Sequence, residues 1–244
     1  MNNIGIVGIP PLAIIEKLHA DGSVIHDLDT QLVSADIEGT VSYLPRVYCA
    51  ILRTVLLNAL HLDIEALYID VGPGKCDSAL QLATVLEEVL SIPVVQTKNE
   101  DTRNFGTSTC RTKMDLKEKF LRITEGVKKP KTSIGYKSCQ PTAGFWGVPP
   151  RDFSLLELFP DTTHVYGWTR CMENKTPANR QLELHCNEAV PTVFFAQSFC
   201  AKTALAYHLA QQHPQALYLD CDVTAGSSAK AKIQAFLELS GVFE

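Results

Sequence analysis

The sequence predicts an α/β protein made of two similar halves, each a parallel sheet covered by helices, with a ligand cleft between them. Three observations carry that prediction. The heptad Gly5-Ile6-Val7-Gly8-Ile9-Pro10-Pro11 returns as Gly144-Phe145-Trp146-Gly147-Val148-Pro149-Pro150. After each copy, short apolar runs alternate with segments of helical periodicity, the pattern of parallel strands joined by crossover helices. A later pair of turns also matches, Cys76-Asp77-Ser78-Ala79-Leu80 against Cys200-Ala201-Lys202-Thr203-Ala204-Leu205. If the duplication fails, one continuous doubly wound sheet is the alternative.

In the first half, residues 1–100, Ile4 to Ile9 reads as a strand stopped by Pro10-Pro11, whose nitrogens cannot donate to a ladder. Leu12, Ile14, Ile15 and Leu18 give a helical stripe, Asp21-Gly22 ends it, and Ser23 to His26 reads as the second strand. Pro45 to Leu60 reads as a long helix with Val47, Ile51, Val55, Leu56 and Leu60 as its packing stripe. Ala66 to Val71 is the next strand, Gly72 to Cys76 a turn, Ser78 to Val89 a helix and Ile92 to Val95 a strand.

The second half, residues 139–244, repeats the order. Gly144 to Val148 is a strand, Phe153, Leu155, Leu156 and Phe159 a helical stripe, and His164 to Tyr166 a strand. Thr192 to Phe195 leads through Gln197-Ser198-Phe199-Cys200 into a helix from Lys202 to Gln212 and a strand at Ala216 to Leu219. Between the halves, residues 101–138 form a basic linker holding one helix, Asp115 to Ile123. The expectation there is a solvated connector, or else a surface on which a larger enzyme partner docks.

Composition narrows the function. The 244 residues are 45% hydrophobic and 20% charged, a globular balance, and the net charge of -5 offers no broad positive field for nucleic acid. No apolar run reaches the roughly 18 residues of a membrane helix, and the start lacks a signal-peptide pattern, so a cytoplasmic protein with no membrane partner is expected. Eight cysteines in a reducing compartment begin as free thiols for packing, metal or redox chemistry. The serine-hydrolase elbow and the zincin helix motif are both absent from the sequence.

Ligands of open parallel sheets gather at the carboxyl ends of the strands, which directs attention to the two matched turns. Gly72, Gly74 and Lys75 open a helix as an anion-binding turn would, and the helix dipole favours the thiolate of Cys76. Cys76 and Cys200, joined by Cys139, Cys171 and Cys221, are the candidate ligands of a metal or iron–sulfur cluster. Thus the leading expectation is a cofactor-handling or redox protein with a cysteine-bearing cleft. A further alternative is a non-catalytic accessory subunit.

Ala196-Gln197-Ser198-Phe199-Cys200-Ala201-Lys202-Thr203 has Walker spacing with alanine at both glycine positions, followed by a strand ending at Asp220. This segment resembles the MinD and ParA-like ATPases. The resemblance implies ATP and magnesium, with Lys202, Thr203 and Asp220 as the groups that hold them, although each alanine methyl obstructs close backbone approach to phosphate. The two-lobed layout, without a shared motif, is similar to that of subunits of 2-hydroxyacyl-CoA dehydratases.

Overall fold

A computed structural model of the chain describes residues 2–106, 109–130 and 135–243. Its frame is two four-stranded sheets, every strand pairing parallel. The first holds β1 (Asn3–Val7), β2 (Val24–Asp27), β3 (Ala66–Asp70) and β4 (Val94–Thr97) in the order β2-β1-β3-β4. The second holds β5 (Gly144–Gly147), β6 (His164–Tyr166), β7 (Thr192–Gln197) and β8 (Ala216–Cys221) in the order β6-β5-β7-β8. Gly5 pairs with His26 and Leu67, and Gly144 pairs with His164 and Thr192, so the two heptads occupy equivalent registers. The repeated sequence therefore encodes a repeated strand order.

Helices α1 (Leu12–Ala20), α2 (Ala50–His61) and α3 (Asp77–Val89) belong to the first half. Helix α2 starts later than its apolar stripe suggests: Cys49 is its N-cap, and Val47, placed in the stripe by sequence, lies outside the helix and is 69% exposed. In the second half the stripe after Pro149-Pro150 forms a 3-10 helix, Phe153–Leu158, because Asp152 caps the turn at the Ser154 amide and the apolar run is short. Helices α5 (Trp168–Asn174), α6 (Arg180–Leu184), α7 (Thr203–Gln212) and α8 (Ser227–Leu239) complete it. No helix among the described residues is long and apolar enough to cross a membrane.

The basic linker is not a solvated strap. Its helix α4 (Leu116–Val127) buries Leu116, Phe120, Ile123 and Val127. They join Ile4, Ile6, Ile15 and Leu18 of the first half and Phe145, Leu155 and Phe195 of the second in one apolar cluster. Phe120 meets Phe145 edge to face at 5.1 Å, and full burial of such a ring contributes roughly 1.5–3 kcal/mol. Lys119 on the same face is fully buried, its ammonium held by the carbonyls of Asp161 and Thr163, and burial lowers its pKa to about 8. Several of the segment's other cations are paired within the chain: Lys117 with Glu157 at 2.5 Å, Arg122 with Glu118 at 2.7 Å and Lys128 with Glu125 at 2.6 Å. Lys131 lies outside the described residues.

The halves also meet through backbone. The side-chain amide of Asn99, just past β4, donates to the carbonyls of Ile9 at 3.0 Å and of Lys175 at 3.2 Å, tying the first heptad loop to the end of α5.

Candidate functional site

Residues at and after the carboxyl ends of strands in both sheets line a common cleft, where ligands of open parallel sheets gather. Two adjoining cavities occupy it. The inner one, of about 80 Å³, is lined by Asp27 at the end of β2 and Asp29 after it, Cys49 at the start of α2, and Lys75 and Cys76 after β3. From the second half come Pro149 after β5, Trp168 after β6, and Cys200 and Lys202 after β7. The outer one, of about 360 Å³, shares Asp27, Asp29, Thr30, Ile51, Thr124 and Pro149 with it and adds Arg151 and Phe153.

Cys49 of one half and Cys200 of the other both line the inner cavity, where Cys200 packs against the apolar cluster that holds Cys49. The neighbouring Cys49 thiol lowers the pKa of Cys200 to about 7. The Lys202 amide and the ammonium groups of Lys202 and Lys75 lower it further, against the opposing effect of burial. Cys49 is pushed well up, first by the neighbouring Cys200 and then by burial, even though the Leu52 and Ile51 amides at the start of α2 favour its thiolate. The pair therefore gives up one proton readily and resists losing the second.

The two lysines are seated on Trp168, with Lys202 Nζ 4.4 Å and Lys75 Nζ 5.8 Å from the ring centroid. Lys202 is also paired with Glu183, and Lys75 lies 3.7 Å from Asp29. Gly8 of the first heptad makes room for this arrangement. It has φ +78°, a Cβ there would sit 2.1 Å from Lys75 Cε, and its amide donates to Asp29 at 2.7 Å. The first copy of the motif thus shapes the floor under the lysine.

Asp27 is 3% exposed, and its Oδ2 has no hydrogen-bond partner. Burial first, then the neighbouring Asp29, raises its pKa from 3.8 to about 8. Its contribution to stability is thus full below pH 3.8, declines as pH rises and is lost above about pH 8. Asp27→Asn keeps the shape without the titration, so its stability relative to the native chain should rise across that window in urea unfolding at several pH values. A difference independent of pH would contradict this.

The sequence-selected residues divide. Gly74, Lys75, Cys76, Cys200 and Lys202 line the inner cavity. Cys139 instead lies against His164, its sulfur 3.7 Å from Nε2, while Cys171 and Cys221 are buried in the apolar cluster. The five cysteines do not converge: Cys139 lies before β5, and α5 and β8 carry Cys171 and Cys221 into packing positions. Among the described residues no group of three or more His, Cys, Asp or Glu side chains is arranged to hold a metal ion.

Gly72 does not present a free amide: its N–H donates to Asp70 at 3.3 Å. The Walker-spaced loop is likewise engaged with itself. The amides of Ser198, Cys200 and Thr203 donate to the carbonyls of Cys221, Gln197 and Cys200 at 2.8, 2.9 and 3.0 Å. Thr203 Oγ1 is buried without a partner, and Asp220 accepts from Ser198 Oγ at 2.8 Å, apart from both cavities. A phosphate cradle needs those amides unengaged.

Sequence reasoning missed Cys49, Asp27 and Asp29 as site residues. The two aspartates had a readable signal, their place directly at the carboxyl end of a strand. Cys49 had none, since its importance follows from where α2 begins.

No protein-family model matches this chain, and no curated protein matches it. A solved structure of MenH from S. aureus aligns over 98% of this chain and 94% of its own at 13% identity. Its TM-score of 0.22 is too low to carry any argument on fold or function.

Proposed function

We propose that this is a redox protein whose working group is the Cys49–Cys200 dithiol, acting on a small molecule admitted to the cleft between the halves. The observation that carries the reading is that Cys49 of one half and Cys200 of the other reach one cavity lined also by Lys75 and Lys202, with the lowered Cys200 pKa as support. A thiolate attacks and a neighbouring thiol resolves, and the two roles require one sulfur that ionises easily beside one that does not.

The reaction balances with a disulfide as oxidant. The Cys200 thiolate attacks one sulfur of R–S–S–R and forms a mixed disulfide, releasing RS⁻. Cys49 then loses its proton and displaces the second RS⁻, closing Cys49–Cys200. The two protein sulfurs are oxidised, the reagent is reduced to two thiols, and the reverse sequence delivers both electrons to a disulfide substrate. Lys75 and Lys202 favour anionic species in the cavity throughout.

Cofactor handling fits the same site only in a narrower form than the sequence suggested. Cys76 brings a third sulfur to the cavity wall, but three such groups are not grouped for an ion, so the dithiol and not a cluster supports the proposal. The nucleotide reading has no comparable observation behind it.

The test treats reduced protein with oxidised glutathione without oxygen and maps the product by mass spectrometry. Expected is a chain lighter by two hydrogens, with the peptides containing Cys49 and Cys200 joined. A product carrying glutathione at scattered cysteines, with no bond between these two, would overturn the reading.

A further inference from the structure

The outer cavity brings acidic and basic side chains of different halves together with buried polar atoms left open on each. Asp27 and Asp29, at the end of β2, line it from the first half, and Arg151, just past the second heptad, lines it from the second. Each aspartate has one oxygen engaged and one left over. Asp27 Oδ1 accepts from the Asp29 amide at 3.1 Å and Asp29 Oδ2 from the Gly8 amide at 2.7 Å, while Asp27 Oδ2 and Asp29 Oδ1 are buried without partners. Arg151 Nε is likewise buried without a partner, and the charges that act on this guanidinium are Arg53 and Asp222, not the aspartates.

Buried acceptors and donors left open are exceptions in native proteins and ask for an explanation. Lys75 lies 3.7 Å from Asp29 Oδ2 and leaves Oδ1 open, no ion pair among the described residues joins the aspartates to Arg151, and Lys128 is already joined to Glu125 at 2.6 Å. The rest of the wall is mixed, with Ile51, Pro149 and Phe153 beside Thr54 and Thr124. An amine alone leaves Arg151 Nε open, and a carboxylate alone leaves the Asp29 oxygen without a donor. A ligand with an ammonium group and a carboxylate satisfies both, and about 360 Å³ is room for a molecule of amino-acid size.

We propose that the outer cavity is a binding site for a small zwitterion of the amino-carboxylate class, its ammonium on Asp27 and Asp29 and its carboxylate on Arg151. The ligand bridges the halves at the mouth of the thiol chamber. This assignment does not rest on the redox reading, since none of its contacts is a sulfur.

Calorimetric titration of the whole chain tests it, with glycine, β-alanine, γ-aminobutyrate and lysine as probes and butylamine and butyrate as singly charged controls. At least one amino-carboxylate should bind about tenfold or more tightly than both controls. Asp29→Asn and Arg151→Met, each checked for a native circular-dichroism spectrum, should weaken that binding by a similar factor. Arg151 is half-exposed, so its variant keeps the test open if the aspartate variant does not fold. No binding by any of the four, equal binding by a control, or unchanged affinity in Arg151→Met would each overturn the proposal and leave the disulfide chemistry untouched.

Discussion

Replacing Cys200 by serine should remove the fastest-reacting thiol of this protein, so that alkylation by iodoacetamide at pH 7 loses its leading phase. With its pKa lowered to about 7, half of Cys200 is thiolate at that pH, against roughly one part in a hundred for a thiol at the ordinary value of 9.0. The gain in thiolate is about fiftyfold. A less basic sulfur is also a weaker nucleophile, by roughly eightfold for two pKa units at a Brønsted slope near 0.45, which leaves a net advantage of about sixfold.

Most competing thiols react more slowly for a common reason. Burial raises Cys110, Cys171, Cys186 and Cys221, the third to a lesser degree, and Cys49 is raised by the neighbouring Cys200 and by burial. Cys49→Ser is the informative partner variant. Its hydroxyl is a different neighbour, so the pH midpoint of the Cys200 reaction should move while the reaction itself persists. Peptide mapping after brief alkylation at pH 6 to 9 reads both effects. Equal labelling of Cys200 and Cys171 in the native chain, or a Cys200 midpoint near 9 with Cys49 intact, would refute this account of the pair.

Why some of this was readable and some was not follows from the range of each signal. The two sheets were legible because parallel strands are local runs of apolar residues, and because the heptad is written twice in equivalent registers. The shared cleft was legible one step further on, since strand order puts matched turns at matched ends. The linker was misread because its lysines and arginines dominate the composition, whereas its buried face, Leu116, Phe120, Ile123 and Val127, is a regular helical stripe that composition hides. Helix α8 gave too little to see: only Ile233 and Leu237 are buried along it.

The chemistry was legible in part for a different reason. Lys75, Cys76, Cys200 and Lys202 sit in turns that sequence can align, but the partner of Cys200 comes from the N-terminus of a helix in the other half. No spacing records a contact made between halves. The same holds for Arg151 opposite Asp27 and Asp29, where the relation lies in the gap between them.

Gly74→Ala tests that meeting of the halves directly, and a large loss of stability is expected. Gly74 has φ +86°, and a Cβ built there would lie 1.9 Å from the carbonyl oxygen of Pro177 and 2.7 Å from its carbon, in the second half. Neither atom belongs to a flexible side chain, so the halves must separate or the turn must rebuild. The left-handed backbone alone costs an alanine about 1–2 kcal/mol, and relieving the overlap should bring the total to roughly 3 kcal/mol or more. For a chain of this size, that lowers the thermal midpoint by about 6–12 °C.

Gly22→Ala separates the two contributions. Gly22 shares the positive φ, at +70°, but a Cβ there meets nothing within 4 Å, so this variant loses only the local preference. The excess loss in Gly74→Ala therefore measures the backbone contact between the halves. It should be accompanied by slower Cys200 alkylation at pH 7, because the displaced turn carries Lys75, one of the charges that holds the thiolate. If the two variants melt together, the halves are not in contact at Gly74, and the chamber that joins Cys49 to Cys200 loses its structural basis.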